Sequence, residues 1–158
     1  ETRCILLLAV LLLLSLTACG QEAPQAPATL GQALLQDFQT RIKDSPQADL
    51  ETLAQGLLDQ EDLEFRALHP VEPGLLMGFG NETIQGFSQG VMFAPVISTI
   101  PFVGYLFRLE EQTSGQDFVQ TLRDAADPVE YLPEADETVV QQEGDIVFFL
   151  MCPQSMEE

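Results

Sequence analysis

The stretch TVVQQEGDIVFFLM, residues 138–151, decides the fold. Two runs rich in β-branched and aromatic residues flank Glu143-Gly144-Asp145, the composition of a tight turn. The spacing predicts a hairpin with arms at roughly 138–142 and 146–151. The first arm mixes apolar and polar residues, as a half-covered strand does. The second, IVFFLM, is apolar at every position. Side chains of a strand alternate between its faces, so this arm needs cover on both sides and belongs inside a sheet.

Upstream, PFVGYLFRL (101–109) sets Val103, Tyr105, Phe107 and Leu109 against Phe102, Gly104, Leu106 and Arg108. This reads as a strand with one apolar face and one partly apolar face. Between these strands, Ser114 and Asp117 form a Ser-x-x-acid cap, and Phe118, Leu122 and Ala125 mark one helical face that Asp127-Pro128 ends. The order from residue 101 is strand, helix, strand, strand.

Nearer the N-terminus, Thr29 and Gln32 fit a capping box, and Leu30, Leu34, Phe38 and Ile42 recur every fourth residue. Ser45-Pro46 predicts a stop and a restart with Pro in the first turn, and Leu50, Leu53 and Leu57 continue as a second helix ending near Asp59. LEFRAL (63–68) alternates weakly, like a strand. The expectation is a single α+β domain over residues 29–158, an antiparallel sheet with the N-terminal helices packed on it. A chain of this size buries a sizeable core without staples.

The first 28 residues read differently. The chain opens without Met, and an upstream start is expected. Arg3 precedes an apolar run, Ile5 to Leu14. As a helix these residues span about 15 Å at about 1.5 Å each, too short for a bilayer core of about 30 Å. A basic start, a short apolar run and small residues at its exit mark an export signal, residues 1–18. The exit, Leu16-Thr17-Ala18-Cys19, resembles the bacterial lipobox. The resemblance implies a diacylglyceryl group on the Cys19 thiol and cleavage before it. Residues 20–28, GQEAPQAPA, then form an extended tether. Two acyl chains anchor far more firmly than one.

The chain carries 25 acids against 6 Lys plus Arg, a net charge of −19. Loss of residues 1–18 removes Glu1 and Arg3 and leaves that balance unchanged. Binding to phosphates draws on Lys and Arg. Beyond Cys19 there are only Arg41, Lys43, Arg66, Arg108 and Arg123, so nucleic acid is excluded as a partner. The acidity serves solubility and keeps the body off anionic lipid. Cys4 leaves with the signal and Cys19 takes lipid, so Cys152 is expected as a lone thiol ending a strand.

Motifs with catalytic associations are weak. Gly86-Phe87-Ser88-Gln89-Gly90 matches the nucleophile elbow G-x-S-x-G, but the one histidine, His69, precedes Ser88, against the Ser-acid-His order. A glycine-flexed loop is the expectation there. Gly78-Phe79-Gly80 lacks the third glycine of a dinucleotide loop, with Thr at 83. His69 alone makes no zinc site. Glu61-Asp62-Glu64 and Glu134-Asp136-Glu137 lack EF-hand spacing and read as solvated acids. No catalytic residue, cofactor or metal site is expected.

Residues 74–105 hold six of the eleven glycines and one charge, Glu82. Prolines at 95 and 101 argue against a membrane helix over the uncharged 83–107. Phe79, Phe87, Met92 and Phe93 among the glycines are the candidate partner surface, with a buried irregular segment as the alternative.

The leader, GFSQGVMFAPVISTIPFVGYLFRLEE (86–111), the capped helix, EADETVV (134–140) and GDIVFFLM (144–151) together resemble a group of small uncharacterised lipoproteins of clostridial-type Gram-positive anaerobes. The resemblance implies a lipid-anchored α+β domain on the extracellular side of the cell membrane and supplies no activity. The functional expectation is a non-enzymatic binding or interaction module. Alternatives are a small solute-binding lipoprotein serving a transporter, or a serine hydrolase using Ser88.

Overall fold

A computed structural model describes residues 26–58, 67–94, 101–128 and 135–155. The leader, Leu16, Thr17, Ala18 and Cys19, and the acids Glu61, Asp62, Glu64 and Glu134 lie outside the described residues.

Helix α1, Leu30–Asp44, starts where expected: the Thr29 hydroxyl accepts from the Gln32 N–H at 3.2 Å. It stops at Ser45, ahead of Pro46, with Arg41 and Lys43 in the last turn facing the negative end of the helix dipole. Helix α2, Leu50–Leu58, starts later than predicted. Residues 45–48 close a turn instead, and Asp49 caps the helix by accepting from the Thr52 N–H at 3.1 Å. A carboxylate satisfies an orphan N–H, which Pro46 cannot do.

Of the strand expected at 63–68, residues 63–66 lie outside the described residues, and Ala67 and Leu68 open β1, Ala67–Val71, an edge strand that tolerates Pro70. A short ribbon follows, β2 (Gly74–Leu75) against β3 (Thr83–Ile84). Strands β4 (Phe87–Ala94) and β5 (Val103–Leu109) occupy the span whose length raised the membrane question. Helix α3, Gly115–Ala125, begins with the Ser114 cap. The hairpin arms are β6 (Glu137–Glu143) and β7 (Ile146–Cys152), and the turn places Gly144 at φ +62°, where glycine is favoured.

The sheet runs β1-β4-β5-β7-β6, antiparallel throughout. The fold is thus α+β with helices packed on an antiparallel sheet, and IVFFLM lies inside it. Ile146, Phe148, Leu150 and Cys152 join Leu34 and Phe38 of α1 and Leu50, Leu53 and Leu57 of α2 in a first core. Val147, Phe149 and Met151 join Phe118 and Leu122 of α3, with Phe79 and Ile84 from the β2–β3 region, in a second. The N-terminal helices therefore cover one face only. Phe38 stacks on Phe148 at 5.2 Å, and Phe79 tilts against Phe149 at 4.6 Å.

Gly86–Gly90 is not a loop. Gly86 turns the chain at φ +98° and the rest opens β4. A register shift between Phe87 and Gln89 inserts one extra residue, Ser88. That bulge sends Phe87 to the second core while Val91 and Phe93 face the first.

Candidate functional site

Phe79, Phe87 and Phe93 do not form a partner surface. They are 0%, 1% and 0% exposed, and Met92 is half-buried against the second core. Their aromatic area goes into the two cores because the sheet needs cover on both faces. Among the described residues, the exposed large apolar side chains in the same segment are Leu75, 66% exposed, and Met77, 50%.

Both belong to a lobe spanning residues 72–86. Glu72 and Glu82 bracket nine uncharged residues, 73–81. Leu76 packs against the second core, so its neighbours Leu75 and Met77 face away from it. Several contacts hold the lobe in shape. The Tyr105 hydroxyl donates to the Met77 carbonyl at 2.9 Å, and the Asp127 N–H donates to the Gly78 carbonyl at 2.8 Å. Gly78, at φ +91°, lets the chain approach closely: a Cβ there would lie 2.5 Å from Met151 Cε. Phe79 then plugs into the core beside Tyr105. Burial pushes the Tyr105 phenol well above its ordinary pKa, although the bond to Met77 opposes this. Tyr105 is therefore a neutral donor that fixes the apex. The signal missed in the sequence is Leu75-Leu76-Met77, a period-two pattern between two acids.

The start of α1 lies at the same end of the sheet. Glu137 accepts from the Thr29 hydroxyl at 2.7 Å and the Gly31 N–H at 3.2 Å, and the Leu30 N–H donates to the Gln154 carbonyl. Glu137 is paired with Cys152, the end of β7. Glu137 was expected to be a solvated acid; it caps a helix instead, because a carboxylate is favoured at the positive end of the dipole. Asp136 accepts from the Gln154 N–H at 2.8 Å. Burial, and after it the charges of Glu137 and Asp136, push the Cys152 thiol up to about 12. It is a buried thiol with little thiolate character.

Ser88 and His69 are not brought together. The Ser88 hydroxyl donates to the Arg108 carbonyl at 3.3 Å. His69 pairs with Met92, four residues along β4 from Ser88, about 13 Å at about 3.3 Å per residue. Arg108 is occupied as a clamp, bonding Asp145 at 2.8 Å and the Ala48 carbonyl at 3.0 Å. Among the described residues no cluster of three or more His, Cys, Asp or Glu is placed to hold a metal. An open recess of about 280 Å³ beside the start of α2 is rimmed by Asp49, Glu51 and Glu72. Comparisons with protein-family models, with curated proteins and with solved structures found no match for this chain.

Proposed function

We propose that this chain is an extracytoplasmic lipoprotein, anchored to the outer face of the cell membrane through a diacylglyceryl group on Cys19, whose folded body is a non-enzymatic binding module. The observation that carries this reading is Leu16-Thr17-Ala18-Cys19 directly behind the short apolar run Ile5 to Leu14. The tether composition of 20–28 supports it, as does the resemblance to small clostridial-type lipoproteins. The body beyond is suited to being held by its N-terminus. Helix α1 is fastened at its first turn to β6 by Glu137 and to the end of β7 by the Leu30–Gln154 bond. Load on the tether passes into the sheet.

The test is metabolic labelling with an alkyne fatty acid in a Gram-positive host. The wild-type chain takes up label and stays with membranes, whereas Cys19→Ala takes up none and is not cleaved before residue 19. An intact leader and an unmodified thiol at Cys19 in the native protein would overturn the reading.

A further inference from the structure

We propose that Arg123 closes the free edge of β6 and, with Gln141, keeps a second copy of this chain from extending the sheet there. The outer strands of the five-stranded sheet are β1 and β6. An outer strand carries a row of unpaired N–H and C=O groups, which is a template for another chain. In β1 that row is broken by Pro70, which has no N–H to offer. In β6, ETVVQQE, neither proline nor lysine breaks it.

The ladder shows which groups of β6 face outward. In an antiparallel pair, alternate residues bond across to the neighbour. The Arg123 guanidinium donates to the Val140 carbonyl at 3.1 Å, so that carbonyl faces away from β7. Thr138 and Gln142, two residues to either side, face the same way. The Gln142 carbonyl accepts from Nε2 of Gln141 at 3.3 Å. The outward carbonyls at 140 and 142 are thus both taken by the chain's own side chains. Packing sets the first of these contacts: Leu122 is buried in the second core with Val140, and its neighbour Arg123 stands at the rim of the sheet.

The excluded occupant is a second β6. Turned about a two-fold axis at Val140, the strand meets itself in register, with Val140 opposite Val140 and Thr138 opposite Gln142. Length and pattern match by identity. Glu137 and Glu143 would face each other at the ends of that seam, where like charges oppose pairing. Both carboxylates are already drawn aside, Glu137 to the start of α1 and Glu143 to Nε2 of Gln39 at 2.7 Å. The obstacle at the centre is Arg123. Its side chain lies where the partner strand would run, and on the axis it would meet its own copy.

The test uses the chain from residue 19 on, which holds every described element, with Cys19→Ser so that no disulfide joins two copies; Cys152 is buried. Arg123 is exposed, so Arg123→Met keeps the stem and the fold and removes the donors. It also removes a positive charge from an acidic chain, so association gained is not electrostatic attraction. Sedimentation equilibrium at about 0.5 M NaCl screens the acidic bodies from each other. There Arg123→Met is expected to dimerise with an association constant about tenfold or more above that of the chain with Arg123. Adding Thr138→Pro, or separately Gln142→Pro, deletes an outward N–H and spares the bonds to β7. Either is expected to return the constant to its original value.

An Arg123→Met chain that associates no more than the original overturns the proposal. So does a dimer that survives either proline, which would place the contact elsewhere. Growth past the dimer overturns it too, because a two-fold seam closes on itself. Loss of the cooperative melt in Arg123→Met also overturns it, since Arg123 would then be a strut of the fold.

Discussion

Gly104 and Phe93 face each other across β4 and β5, and the absence of one side chain makes room for the other. A Cβ on Gly104 would overlap the ring of Phe93. Gly104→Ala is therefore expected to lower stability by about 2 kcal/mol through overpacking, read as a lower urea midpoint. An unchanged midpoint would mean the ring has space to move. Cys152 gives a prediction of known sign. Its thiol ionises near 9 when unperturbed and near 12 in the fold. Between these values the unfolded chain has released a proton that the folded chain keeps, so stability falls as pH rises from about 9 towards 12. Urea midpoints at pH 8 and pH 10.5 should show the fall, and Cys152→Ala should reduce it. At this scale the caps of Thr29 and Ser114 were legible, because each accepts from a backbone N–H three residues on. Glu137 was not, because its partners Thr29 and Gly31 are 108 and 106 residues away.

Strand β7 shows how far one element can be read. Its unbroken apolar run requires cover on both faces, and adjacent Phe148 and Phe149 lie in different cores. Phe148→Ala and Phe149→Ala are each expected to cost about 3–5 kcal/mol, checked by chemical denaturation. Tolerance of either would mean that one face is loosely packed. Ser114→Ala should remove about 1 kcal/mol by leaving the Asp117 N–H without its cap, measured the same way. Strand β4 was read poorly, since its bulge is a register relation to β5 and no local residue pattern announces it. The bulge turns Phe87 to the opposite face from Val91 and Phe93. An expected aromatic surface therefore became two pieces of core.

At the scale of the molecule, 25 acids against 6 Lys plus Arg leave the folded state under self-repulsion. Screening shortens the reach of that repulsion to about 3 Å at 1 M salt. The melting temperature is expected to rise by several degrees between 10 mM and 1 M NaCl, as calorimetry would show. A flat response would mean that the acids are spaced widely enough not to interact. The α+β class, the two N-terminal helices, the capped α3 and the β6–β7 hairpin were legible in the residues alone. These rest on apolar periodicity and on caps and turns that act within a few residues. Which helices cover which face, that Phe79, Phe87 and Phe93 are core, and that Leu75 and Met77 stay exposed were settled by packing in three dimensions. Those outcomes depend on strand order and register, which bring together residues far apart in the chain.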